Sequence, residues 1–174
     1  GKDTNISGSQ VVSLGNVNIN AQNINVTNVV NNESIESKRV NSGFISTETK
    51  ANSAYIESNQ GSQIFGNNVV LDSKKDTNVI ASDITASKDE LGNGGNILVT
   101  AGNNVNILSD TTSQSSSSTA SKTKSIGSLN VGSKGKADGM AQVIQNSSHL
   151  SANGGNIVVK SGKDTLIGAS ELQS

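Results

Sequence analysis

GKDTNISGS (residues 1–9), KKDTNVIAS (74–82) and GKDTLIGAS (162–170) are one phrase written three times, and GNNVNILSD (102–110) is a looser copy. The lead-in recurs too: GGNILVTAGNN (94–104) aligns without a gap on GGNIVVKSGKD (154–164), with GNNVVLDSKKD (66–76) as a weaker version. A short apolar–polar phrase repeated in this way builds stacked coils, each burying its apolar face against the next. It does not build a single catalytic pocket.

Within each phrase the side chains alternate with period two, the signature of a strand with one buried face. Val17 and Ile19 are followed by Ile24 and Val26, and Val69 and Leu71 by Thr77 and Val79. Ile97 and Val99 are followed by Val105 and Ile107, and Ile157 and Val159 by Thr165 and Ile167. Between the members of each pair sits a short corner of Gly, Asn, Asp or Lys, residues that tolerate left-handed backbone or hydrogen-bond their own turn. Two architectures satisfy this pattern. The corners are either hairpin turns of an antiparallel meander or bends between walls of a parallel β-helix with coils of roughly 20 residues, stacked at about 4.8 Å. Three features favour the β-helix. The corners recur after the same phrase, the abundant Asn suits side-chain amide ladders, and long insertions separate matched phrases. The aliphatics expected to point inward are Val17, Ile19, Val69, Leu71, Ile97, Val99, Val105, Ile107, Ile157, Val159 and Ile167.

The 174 residues suffice for one domain. Only 32% are hydrophobic and 2% aromatic, a composition that suits disorder unless the few aliphatics are strictly placed, as they are here. A net charge of −1 gives no electrostatic case for nucleic acid or an anionic membrane. Cysteine is absent, which excludes disulfides and thiolate metal sites. No apolar run is long enough to span a bilayer, so no membrane insertion is expected. The chain begins and ends in mid-repeat and reads as a fragment, so a missing export signal carries no weight.

The expected organisation is one all-β repeat fragment over 1–174, with scaffold at 1–27, 61–110 and 150–174 and insertions at 28–60 and 111–149. The first insertion is more charged but keeps short alternating runs. The second opens with TTSQSSSSTASKTKS (111–125), expected to be flexible or loosely paired, and continues into a hairpin with a Gly/Lys turn at 133–139.

Candidate chemistry is sparse. Asp3, Asp76 and Asp164 share one repeat position, but the fourth copy has Asn104 there, so a turn-forming role outweighs a metal or acid site. The GGxGxDx motif of calcium-binding rolls is absent. His149, the only histidine, has no arguable catalytic partners and reads as a surface loop residue. A polysaccharide-cleaving β-helix needs clustered carboxylates with a base, which scattered acids and one Arg do not supply. Asn5, Asn25, Asn32 and Asn146 begin Asn-X-Ser/Thr triplets, expected by chance in such a chain. Lys122, Lys124, Lys134 and Lys136 form a modest basic cluster open to an anionic glycan, though a solvated loop is the simpler reading. No catalytic, cofactor or metal residue is expected, and the ligand-binding residues are unknown.

GGNIVVKSGKDTLIGASELQ, KKDTNVIASDITA and the Ser-rich excursion followed by SHLSANGGNI resemble the haemagglutinin repeats of the filamentous-haemagglutinin family. These are large exoproteins exported by two-partner secretion, and contact-dependent growth-inhibition toxins carry similar repeats in their stalks. The resemblance covers nearly the whole chain. It implies a right-handed parallel β-helix (solenoid) with extruded hairpin or loop insertions, secreted to the bacterial surface and adhesive towards host or neighbouring cells. An alternative is a stalk or receptor-binding segment of a growth-inhibition toxin, and a remote one is a polysaccharide-processing enzyme. The implied partners are a surface receptor or glycan and an outer-membrane secretion partner. The family offers no catalytic residue to carry over.

Overall fold

The computed structural model describes residues 2–174, and every regular element among them is a β-strand. The chain forms two compact units. The first holds the chain up to Val30, Asn59–Thr111 and Gln145–Ser174; the second holds Asn31–Ser58 and Thr112–Ile144.

In the first unit the chain circulates through three parallel sheets. The first wall contains β1 (Thr4–Ser7), β4 (Ile24–Thr27), β9 (Thr77–Ile80), β12 (Val105–Leu108) and β17 (Thr165–Gly168). The second contains β2 (Gln10–Val12), β7 (Gln63–Gly66), β10 (Asp83–Ser87), β15 (His149–Asn153) and β18 (Glu171–Gln173). The third contains β3 (Val17–Ala21), β8 (Val69–Ser73), β11 (Ile97–Ala101) and β16 (Ile157–Ser161). Strands consecutive in sequence, such as β8 and β9, belong to different walls and pair with other coils instead. This excludes the antiparallel meander and gives a parallel β-helix of nearly five coils. Equivalent side chains in successive coils are 20, 53, 28 and 60 residues apart. Twenty residues is the bare coil, and the excess is chain that leaves a corner and returns.

The register places like on like. Ile6, Val26, Val79 and Ile107 form one inward row, Val17, Val69 and Ile97 a second, and Ile64, Ile84 and Leu150 a third. Each buried aliphatic contributes about 1.5–3 kcal/mol, so a chain poor in hydrophobic residues still closes a core. Val17, Val69, Leu71, Ile97, Val99, Val105 and Ile107 are buried as expected, and Ile19, Ile157 and Val159 are half-buried against the core. Ile167 departs from expectation at 45% exposure, because β17 is an edge strand of its sheet among the described residues.

Polar ladders fix the corners. Ahead of the first wall, Asp3, Asn23, Asp76, Asn104 and Asp164 stack, each side-chain Oδ1 accepting the backbone N–H of the next member at 3.1–3.3 Å. Ahead of the third wall, Asn16, Asn68, Asn96 and Asn156 do the same at 3.0–3.2 Å. At the corner between the first and second walls, Ser62, Ser82 and Ser148 are fully buried. Ser62 Oγ donates to Ile6 O at 3.0 Å and Thr27 O at 2.7 Å, and Ser148 Oγ donates to Leu108 O at 2.7 Å. That corner bends through left-handed backbone, with φ of 52° at Gly8, 44° at Ala81 and 48° at Ala169. In the second and fourth coils the chain leaves at this same corner.

The second unit is a four-stranded sheet in the order β14-β13-β6-β5, with β5 (Val29–Ser42), β6 (Ser46–Gln60), β13 (Asp110–Ile126) and β14 (Leu129–Asn146). The expectation of a loose Ser tract is corrected here: Gln114 to Lys124 pair antiparallel with Ile56 to Ser46. The second hairpin turns at Gly127 and Ser128, with Gly127 at φ 62°, rather than at 133–139. The physical reason is that a ladder satisfies backbone N–H and C=O groups whatever the side chains are, so a Ser/Thr strand needs a paired edge and not an apolar anchor.

Candidate functional site: the paired hairpins

The residues singled out on chemical grounds are structural in the coil unit. Asp3, Asp76 and Asp164 alternate with Asn23 and Asn104 in the corner ladder, so no two carboxylates are adjacent. No group of three His, Cys, Asp or Glu side chains able to hold a metal occurs among the described residues. His149 opens β15 rather than lying in a loop; it stands between Asp83 and Glu171 of the neighbouring coils, with Nδ1 3.4 Å from Glu171 Oε2. Asn5 and Asn25 have their amides tied into a ladder: Asn25 Nδ2 donates to Asn5 Oδ1 at 2.7 Å, and Asn78 Nδ2 to Asn25 Oδ1 at 2.8 Å. Asn106 Nδ2 extends that ladder to Asn78 Oδ1 at 2.8 Å. Asn32 lies exposed on β5 and Asn146 ends β14.

The second unit differs in kind. Its two hairpins come from opposite halves of the sequence and meet along β6 and β13. Across that seam Ser53 Oγ lies 2.8 Å from Ser117 Oγ. The Glu57 carboxylate accepts three hydrogen bonds at 2.7 Å, from Tyr55 Oη, Ser113 N and Ser113 Oγ. The Tyr55 bond above all, and then the Ser113 bonds, hold the Glu57 carboxyl below its ordinary value, while the same contact pushes the Tyr55 phenol up. Charge on Glu57 therefore fastens the seam, and protonation loosens it.

A groove of about 610 Å³ crosses one face of this sheet, and every strand contributes: Ile35 from β5, Asn52 and Ala54 from β6, Ser116 from β13, and Asp138 and Met140 from β14. Ile35 is 52% exposed and Met140 77%. Lys122, Lys124, Lys134 and Lys136 lie on β13 and β14, so the basic cluster stands on paired strands rather than in a solvated loop. Sequence reasoning missed the seam. The one available signal was that 46–60 and 110–126 are of similar length and rich in Thr, Ser and Ala with no Gly or Pro, as strands that pair require.

A bare 20-residue coil stacked in register through three parallel sheets, its sequence interrupted by long hairpins, defines a β-helical repeat segment. The chain belongs to the hemagglutinin repeat family, whose match covers residues 43–174. It is similar to the tRNA nuclease CdiA of Escherichia coli (strain STEC_O31), at 26% identity over 182 residues; the alignment covers 94% of this chain and 5% of that protein. No solved structure matches. Proteins of this family are secreted and surface-exposed, and this chain is a segment of such an exoprotein.

Proposed function

We propose that this chain is a non-catalytic rod segment whose hairpin unit makes adhesive contact with a receptor or glycan on a host or neighbouring cell. We read it as one repeat fragment in which the coils are scaffold and the two insertions are the variable, contact-making parts. The observation that carries this reading is the contrast between the units. The coil surface carries Asn, Ser and Thr ladders with scattered exposed aliphatics such as Leu14 and Leu91, whereas the smaller hairpin unit gathers a groove, exposed apolar side chains at its two turns and seven of the 13 Lys and Arg. Specificity usually resides in segments that depart from a rigid repeat. An outer-membrane secretion partner would export the whole protein.

A second reading, a stalk or receptor-binding segment of a contact-dependent growth-inhibition toxin, is favoured by the likeness to CdiA. Both readings place binding in the hairpins. The test removes 28–60 and 109–146. That leaves Thr27-Gly61-Ser62-Gln63 and Leu108-Ser147-Ser148-His149 where the uninterrupted coil has Ile80-Ala81-Ser82-Asp83. The shortened protein is expected to remain β-rich and cooperatively folded and to lose attachment to target cells. A folded protein that attaches undiminished would move the contact to the coils and leave the hairpins as ornament.

A further inference from the structure

Charges that are scattered along the sequence converge in the second unit. It holds seven of the chain's 13 Lys and Arg but five of its 14 Asp and Glu, in a protein of net charge −1. The cations are Lys38 and Arg39 on β5, Lys50 on β6, Lys122 and Lys124 on β13, and Lys134 and Lys136 on β14. They occupy the halves of the strands that adjoin the hairpin turns: Lys124 pairs with Ser46, the first residue of β6, and Lys122 with Glu48. Of the five acids, Glu57 lies towards the far end of β6 and Glu33 in the half of β5 away from its turn. Glu36 stands two residues before Lys38 on β5, and Glu48 and Asp138 are engaged by Lys50 at 3.1 Å and Lys136 at 2.8 Å.

The two turns lie side by side, with Ser125 N donating to Ile45 O at 3.0 Å. At them stand Phe44, Ile45, Ile126 and Leu129, exposed by 104%, 59%, 66% and 70%. One of the two Phe in the chain is thus fully bare at a tip, where nothing in the fold needs it. A soluble anionic glycan would explain the cations and leave these four side chains in water. A bilayer surface accommodates both, since apolar groups enter the headgroup–acyl boundary while Lys and Arg snorkel to phosphate.

We propose that the paired hairpin turns dock on an anionic lipid surface, with Phe44, Ile45, Ile126 and Leu129 in the interfacial layer and the surrounding cations against lipid phosphates. The contact is shallow and peripheral, not a span. It deepens the adhesive reading by naming the chemistry of the partner, and rests on it.

The chain has no Trp, so Phe44→Trp in the full 174-residue protein is a clean reporter. Phosphatidylglycerol vesicles are expected to shift its emission to the blue, and phosphatidylcholine vesicles to leave it unchanged. Lys122→Gln and Lys124→Gln each lower partitioning about fivefold, and high salt lowers it further. Ile126→Ser with Leu129→Ser lowers it at least about tenfold without changing circular dichroism, since both side chains are exposed. Absence of binding overturns the proposal, as does equal binding to both vesicles. Binding of a soluble anionic polysaccharide with no effect of the Ser substitutions on vesicle binding assigns the cations to glycan instead. Failure on vesicles while hairpin-dependent cell attachment persists removes the lipid partner and leaves the adhesive reading standing.

Discussion

Replacing Asn104 by Asp isolates the electrostatics of the corner ladder. Asn104 stands between Asp76 and Asp164, its N–H donating to Asp76 Oδ1 at 3.1 Å and its Oδ1 accepting from Asp164 N at 3.3 Å. The substitution preserves shape and both hydrogen bonds, and creates three stacked carboxylates at about the 4.8 Å strand spacing. At that distance two like charges repel by about 0.9 kcal/mol in bulk water and more in a partly screened corner. Two neighbours set the scale at about 2 kcal/mol, reduced by salt and by Lys75 and Lys163 beside the two Asp residues. The expected loss is about 1–2 kcal/mol at neutral pH and low salt, read as a urea midpoint lowered by roughly 0.5–1 M. The repulsion requires all three carboxylates to be ionised, so the penalty is present at neutral pH and is gone once acid has protonated them in both the folded and the unfolded chain. Melts followed by circular dichroism at neutral and acidic pH, with and without added salt, decide the matter. An equal loss at both pH values would show that the amide matters for shape rather than neutrality. No loss at all would mean that the coils do not stack in this register.

Val99→Asp places a carboxylate at a site of 0% exposure with no partner, at a cost of several kcal/mol, and should abolish the cooperative unfolding transition. Gly102→Ala would drive a Cβ into Lys74 O, a backbone atom of the coil beside it, so the two coils must separate; a lowered melting temperature checks this, and an unchanged one refutes the close approach. Glu57→Gln removes the charge that gathers Tyr55 and Ser113, so amide exchange along β13 should accelerate at neutral pH, and the wild-type seam should loosen in the same way as acid protonates Glu57 below its ordinary 4.5. Trypsin should cut at Lys134 or Lys136 on the outer strand β14 before Lys122 or Lys124 on the inner strand β13, as mapped by mass spectrometry; the reverse order would mean that the two hairpins do not pair.

Much of the coil unit was legible in the sequence because its physics is local and periodic. Alternation at Val69, Leu71, Ile97 and Val99 named the inward face, and the recurrence of the same phrase pointed to stacked coils, while the bare 20-residue step was measured only in the structure. Asn104 at one copy of the Asp3, Asp76 and Asp164 position was legible as well, but Asn23, which separates Asp3 from Asp76, was placed there only by the register of the coils. What the tertiary structure alone decided is the second unit. Residues 113–124 carry no apolar signal, so nothing in the string distinguishes a loose tract from a strand until an edge is supplied. That edge is β6, which precedes it by more than fifty residues in the sequence. The same holds for charge. A net value of −1 gives no electrostatic case for nucleic acid or an anionic membrane, yet seven cations from four strands fall on one small sheet once the hairpins pair. Sequence sets periodic burial because each residue's neighbours along the strand determine its face. Pairing between distant segments is set by which backbone edges the fold leaves open and brings within hydrogen-bond reach, and no local pattern encodes that.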